Sequence, residues 1–296
     1  MRRFLGVVLI AGAISAITGW VLTAPVSLDK TALAGITPDP ERGRAVFFAG
    51  GCAACHSAPE ASGEDRLLLG GGRGFATDFG TFYAPNISPH PEAGIGQWSV
   101  LELANALLYG TSPNGQHYYP AFPYTSYAQM TLEDAVSLHA FLGTLPLVDT
   151  PNRPHDVSFP FNIRRTLGGW KLLFNRGGWV VEGELTEQQA RGRYLVEGLG
   201  HCGECHTARN LLGGVRLGAW LAGAPNPNGK GRIPDITAAG LDWSESDIAE
   251  YLKSGFTPEF DTAGGEMTDV IENTSQLTDE DRAAIAAYLK RVPGLP

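Results

Sequence analysis

The sequence predicts a mainly α fold: two tandem copies of one small helical domain, joined by an ordered connector and preceded by an N-terminal membrane helix. Three observations predict it. The pentapeptides CAACH (52–56) and CGECH (202–206) hold all 4 cysteines of the 296-residue chain. The segments around the first pentapeptide recur, in order, around the second. The stretch from Phe4 to Leu22 carries no charged side chain.

The N-terminus comes first. Met1-Arg2-Arg3 followed by the apolar run fits either a secretory signal or a single membrane span. Leu22 occupies the upstream position of VLTA, a poor cleavage sequence, and the run exceeds a signal core, so a retained anchor is expected within residues 1–25. The positive-inside rule keeps Arg2 and Arg3 in the cytoplasm and leaves everything after about residue 25 on the periplasmic face of the inner membrane. A cleaved helix would instead release a secreted protein.

The paired pentapeptides set the chemistry. Two thiols three positions apart, followed directly by an imidazole, are what is needed to bond the two vinyl groups of a haem and ligate its iron from one side. Two covalently bound haem c groups are expected, on Cys52 and Cys55 with His56 as iron ligand, and on Cys202 and Cys205 with His206. A zinc site or a redox dithiol competes with this reading. Neither requires a His immediately after each second Cys.

The rest of the chain is laid out as a duplication. Glu41-Arg42-Gly43-Arg44 answers Ala190-Arg191-Gly192-Arg193; Ala84-Pro85-Asn86-Ile87 answers Ile233-Pro234-Asp235-Ile236. Trp98-Ser99 answers Trp243-Ser244, and QMTLEDAVSLHAFLGTLP answers QLTDEDRAAIAAYLKRVP. Domains at 37–148 and 185–296, with a connector at 149–184, follow. Thr186 to Gln189, Ser244 to Asp247, Thr131 to Asp134 and Thr278 to Asp281 read as helix starts. Gly50-Gly51, Gly110, Gly143 and Gly255 read as stops. Ile285, Tyr288 and Leu289 mark a buried face. Each domain is thus predicted to be a three-helix unit wrapped around its haem, and 38 Gly with 20 Pro make the remainder rich in loops.

On these motifs the chain resembles class I cytochromes c over both domains. The resemblance implies that a small residue on the first helix crosses an aromatic on the last, pairing Gly43 with Phe141 and Gly192 with Tyr288. It also implies that Pro85 and Pro234 offer their carbonyls to the two imidazoles. The segments APNISPHPEAGIGQWS, HYYPAFPYTSY, FPFNIRRTLGGWKLLF and TSQLTDEDRAAIAAYL resemble, more closely, the cytochrome subunits of membrane-bound alcohol, gluconate and sorbitol dehydrogenases. Those subunits usually carry three haems, whereas this chain has two motifs.

Thioether sixth ligands could come only from Met130 and Met267, the only methionines besides Met1. Met267 lies in the loop where class I cytochromes place a thioether ligand. Register with the second domain sets Met130 opposite Leu277 and Pro120 opposite Met267. The dehydrogenase subunits often read PAMPY where this chain reads PAFPY, so Phe122 stands in place of their Met. Met130 is the expected ligand of the first haem; a hydrophobic staple ahead of Thr131, ligation by His117 instead, and an open position are the alternatives. His90, His139 and His155 read as packing or surface residues, and Arg73 as a propionate contact or a solvated loop residue.

The connector holds Phe159, Phe161, Trp170, Phe174 and Trp179 and is expected to clasp both domains. It has 5 basic against 4 acidic side chains, while the first domain has 4 against 10 and the second 10 against 16. Arg164, Arg165 and Lys171 read as propionate, partner or solvent contacts. The overall charge of −9 argues against nucleic-acid binding and for docking to a basic protein surface. No flavin or nucleotide fingerprint is present. The chain therefore reads as an electron-transfer protein, not itself an enzyme, relaying electrons from a periplasmic dehydrogenase to a downstream acceptor of the respiratory chain. The alternative is a di-haem peroxidase-like enzyme with an open or displaceable ligand on the first haem.

Overall fold

A computed structural model describes residues 2–59, 61–175, 177–227 and 231–295. Met1 and the side chain of Arg2, part of the expected anchor, lie outside the described residues. Helix α1 (Arg2–Leu22) leaves its apolar side chains exposed. The first repeat follows: α2 (Pro40–Ala49), α3 (Cys52–His56), α4 (Val100–Tyr109), α5 (Tyr124–Tyr127) and α6 (Leu132–Leu142). The connector contributes α7 (Leu167–Phe174). The second repeat comprises α8 (Glu187–Arg193), running on into a π-helical turn at Tyr194–Leu199, then α9 (Gly203–His206), α10 (Glu245–Ser254), α11 (Glu266–Thr274) and α12 (Asp279–Leu289).

Local chemistry explains where these helices start. Asp39 accepts from the amides of Glu41 and Arg42 with Pro40 in the first turn of α2. Ser99 with Glu102, Thr186 with Gln189 and Ser244 with Asp247 form reciprocal capping boxes on α4, α8 and α10. Thr131 and Thr278 cap α6 and α12. Gly110 and Gly255 end α4 and α10 at φ 57° and 78°, a conformation that costs any residue with a Cβ.

In each repeat the first helix crosses the last at a glycine. A Cβ on Gly43 would lie 2.0 Å from the Ser137 carbonyl oxygen and 2.8 Å from Phe141 Cβ; on Gly192 it would lie 1.9 Å from the Ala284 carbonyl oxygen and 2.6 Å from Tyr288 Cβ. The expected pairs are therefore the crossing points of α2 with α6 and of α8 with α12. Each crossing carries an equivalent ion pair, Arg42 with Asp134 and Arg191 with Asp281. Phe47 and Tyr288, fully buried, fill the two cores.

Strand structure that the sequence reading did not anticipate clamps the loops. The hairpin β1 (Gly74–Thr77) and β2 (Gly80–Tyr83) takes β3 (Asp156–Val157), from the connector, as a third antiparallel strand; β4 (Ala224–Pro225) pairs with β5 (Arg232–Ile233) in the second repeat. The connector's start is thus built into the first repeat. Its end is built into the second, because buried Glu197 accepts from the amides of Val180 and Val181 and from the Tyr288 hydroxyl. Among the basic connector residues, Arg164 donates to the His117 carbonyl, Arg165 to those of Trp20 and Thr23, and Lys171 to those of Tyr109 and Gly110. Each of the three is thus tied to the main chain of the first repeat or of the end of α1.

Candidate functional site

The pentapeptides form one-turn helices at the same place in both repeats. His56 Nδ1 donates to the Pro85 carbonyl at 2.8 Å, and His206 Nδ1 donates to that of Pro234 at 2.9 Å. Burial lowers the pKa of each imidazole, against the pull of these carbonyls, so each is held neutral. A neutral imidazole whose Nδ1–H is committed to a carbonyl presents Nε2 as a lone-pair donor, the form an iron ligand requires. The amides of Gly71 and Gly223 return to the His56 and His206 carbonyls, both at 2.8 Å. Gly71 has φ 69°, and a Cβ there would sit 2.4 Å from the Pro85 carbonyl carbon, so only glycine permits this close turn.

Two thiols and one available imidazole nitrogen per loop fit a covalently held haem. They fit the competing zinc reading poorly: among the described residues no three His, Cys, Asp or Glu side chains converge on a common point. Burial pushes the Cys52 and Cys202 thiols up to about 12 and Cys55 to about 11, so all three stay protonated in the unattached chain. In the second loop the ring of Trp220 lies where a side chain at position 203 would go, 2.0 Å from an ideal Cβ, which accounts for Gly203 where the first loop has buried Ala53.

The two loops also face one another's repeats. Arg73 donates to the Ala54 carbonyl inside CAACH at 2.6 Å and to Asp269 of α11 at 2.7 Å, with its side chain 31% exposed. Arg66 joins the same carboxylate at 3.0 Å. Burial raises the pKa of Asp269, but the two guanidiniums more than offset this and hold it below the ordinary carboxylate value. Reciprocally, Glu204 inside CGECH accepts from Thr125 of α5 at 3.0 Å. His201, just ahead of Cys202, reaches the Gly50 carbonyl at 3.3 Å, and Tyr127 donates to that carbonyl at 2.8 Å. Sequence reasoning missed His201 and Glu204. The available signal was a His in the place of Gly51, directly before the motif; both residues prove to have positive φ, 39° and 61°.

The family model for cytochrome c matches residues 40–146 and again residues 189–293. The chain belongs to the cytochrome c family. This cytochrome is 61% identical over 299 residues to a protein of Cereibacter sphaeroides named diheme cytochrome c-type, with the whole of both chains covered. It is 40% identical over 264 residues to the fructose dehydrogenase cytochrome subunit of Gluconobacter japonicus, covering 86% of this chain and 53% of that one. It is 35% identical over 295 residues to the alcohol dehydrogenase (quinone) cytochrome c subunit of Gluconacetobacter polyoxogenes, covering 91% and 60%. It thus spans all of the first relative and little more than half of the other two. The cytochrome carries two covalently bound haem c groups and has an electron-transfer role.

The geometry revises the register between the repeats around the sixth-ligand candidates. The Tyr118 amide returns to the Gly110 carbonyl and the Ala263 amide to that of Gly255, both at 2.8 Å, while Thr111 bridges His117 as Phe256 bridges Thr262. Counting on from these anchors, Phe122, not Pro120, stands where Met267 stands. Both are half-buried. Met267 lies in the first turn of α11 rather than in a loop. Met130 stands where Leu277 stands, directly before the cap of the last helix; the two are similarly buried, at 6% and 7% exposure. His117 is buried with Nε2 at 3.0 Å from the Thr23 carbonyl, so that nitrogen is engaged by the segment after α1. His90, His139 and His155 all make contacts with the main chain, to Ala93, Trp98 and Tyr83.

Proposed function

We propose that this cytochrome is anchored by α1 to the periplasmic face of the inner membrane and relays electrons from a periplasmic dehydrogenase to an acceptor of the respiratory chain. In this reading 1–25 is the anchor, 37–148 and 185–296 are the haem domains, and 149–184 is the connector. Cys52, Cys55 and His56 hold the first haem, and Cys202, Cys205 and His206 the second, with Met267 as its sixth ligand. Each haem supplies an iron that accepts and releases one electron at a time. The protein supplies potential, orientation and a fixed separation. The observation that carries the relay is the reciprocal packing of the motif loops: Arg73 ties CAACH to α11, and Glu204 ties CGECH to α5.

The relatives named as subunits of fructose and alcohol dehydrogenases support a dehydrogenase partner. A redox titration of the purified protein should resolve two one-electron steps, and reduction by the co-purifying dehydrogenase should be followed by reoxidation on adding the membrane acceptor. Haems that stay in one oxidation state during turnover would refute the relay.

One observation favours a second reading. Met130 is the only thioether in the first repeat and hence its candidate sixth ligand, yet it has the packing position of Leu277, while Phe122 occupies the place of Met267. An exchangeable position on the first haem, suited to peroxidase-like chemistry, is consistent with that register. Carbon monoxide added to the reduced protein separates the readings. Binding at one haem supports the exchangeable position, and binding at neither supports two thioether ligands.

A further inference from the structure

The connector and the second repeat share an exposed apolar surface. Phe159 and Leu211 are 78% and 97% exposed, and Phe161, Ile163, Leu172, Leu173 and Leu212 are exposed as well. Three elements merge there. The Phe79 ring, at the β1–β2 turn, packs edge-on against Phe161 at 5.1 Å and lies against Gly213. Trp170 donates to the Leu212 carbonyl at 2.8 Å, and Phe174 abuts Gly214. The single charged residue of α7, Lys171, is turned inward to the Tyr109 and Gly110 carbonyls, which leaves Leu172 and Leu173 as the helix's exposed bulk.

This surface adjoins the end of α1. Arg165 lies over the Trp20 ring at 4.3 Å and donates to the Trp20 and Thr23 carbonyls. Thr23 is seated against Gly168, where a Cβ would come within 2.1 Å of its carbonyl oxygen. The end of α1 is therefore fixed to the connector between the exposed Phe159–Ile163 stretch and α7. Residues 157–181 contain no Asp or Glu but include Arg164, Arg165, Lys171 and Arg176, while both flanking repeats are strongly acidic. Exposed apolar side chains in a stretch without acidic residues, next to the exit of a membrane helix, have the chemistry of a segment lying in the headgroup layer.

We propose that the face formed by residues 159–173 and the 210–214 loop rests on the lipid surface in which α1 is embedded, so that the protein lies on the membrane instead of hanging from a tether. The proposal rests on α1 being a retained anchor. The full-length holoprotein, reconstituted in nanodiscs of phosphatidylcholine and phosphatidylglycerol doped with a diazirine-bearing phospholipid, is irradiated and its peptides are analysed by mass spectrometry. Lipid adducts are expected on α1 and on peptides covering 159–173 and 210–214, with none on α12. In the double variant Leu172→Asp and Leu173→Asp, labelling of the α7 peptide should fall several-fold while that of α1 is unchanged. Labelled α1 with unlabelled 159–173 would overturn the proposal and leave the anchor standing. Unlabelled α1 would overturn the anchor reading and the proposal with it. Labelling of the face that disappears when the dehydrogenase is added would assign the face to a protein partner and overturn the proposal.

Discussion

In the second reading, where Met130 only packs, replacing it by Leu should leave the fold and both haem spectra intact. Leu277 already occupies the equivalent site in the second repeat, its amide returning three residues back at 3.1 Å as that of Met130 does at 2.8 Å. A volume-conserving core exchange costs less than about 1.5 kcal/mol, whereas truncation to Ala costs about 2–5 kcal/mol through lost transfer energy and the cavity left behind. At about 2–4 °C per kcal/mol for a protein of this size, Met130→Leu should lower Tm by less than about 6 °C, and Met130→Ala by about 4–20 °C. The assay pairs calorimetry with the near-infrared charge-transfer band of His/Met-ligated ferric haem, counted per haem. If Met130 only packs, the wild type shows this band from the second haem alone and Met130→Leu does not change it. A band from both haems that halves in Met130→Leu would refute the register argument and make Met130 the first iron's ligand. The companion variant Met267→Leu should abolish the second haem's band.

Three further outcomes follow from the packing. Gly192→Ala must push α8 off the Ala284 carbonyl, an overpacking cost of about 1–3 kcal/mol that the ~1 kcal/mol gain in helix propensity offsets only in part, so unfolding by denaturant should show a net loss; an unchanged midpoint would contradict the close crossing. Glu197→Ala should cost about 3 kcal/mol by stranding the Val180 and Val181 amides and the Tyr288 hydroxyl, and should expose residues 177–185 to protease; unaltered protection there would show that the carboxylate does not hold the connector. Burial pushes the Lys171 ammonium from an ordinary 10.5 down to about 8. Below pH 8 both folded and unfolded chains carry the proton and the buried charge costs the folded state in full. Between about 8 and 10.5 the unfolded chain binds more protons, so stability should rise with pH, and Lys171→Met should flatten that rise in urea titrations; parallel curves would locate the slope elsewhere.

Much of the architecture was legible because duplication prints it twice. The cap residues Thr131, Thr186, Ser244 and Thr278 and the crossing glycines Gly43 and Gly192 are local rules, satisfied by side chains within a few residues or by a demand for close approach. The proline carbonyls at 85 and 234 were legible through family resemblance, not from spacing. The sixth-ligand register was harder. Counting back from α6 and α12 aligned Met267 with Pro120, because α11 is longer than α5; the turn hydrogen bonds at Gly110 and Gly255 count from the other side and reach Phe122. Contacts between repeats carried little sequence signal beyond the His201 that stands in the place of Gly51. Arg73 looked like any loop arginine until folding set Asp269, on the far side of the chain, beside it.

That arginine changes what kind of object the two haem loops make. A guanidinium bonded at once to the Ala54 carbonyl and to a carboxylate two residues beyond Met267 is a strut between them, and Glu204 with Thr125 is a second strut in the opposite sense. Two cytochromes in solution exchange electrons at a rate set by collisions, concentration and ionic strength. Here the encounter is made once, during folding, and kept. Exchange between the two irons should accordingly be first order, indifferent to dilution and viscosity, and cutting either strut should slow it without altering how fast the protein meets its partners.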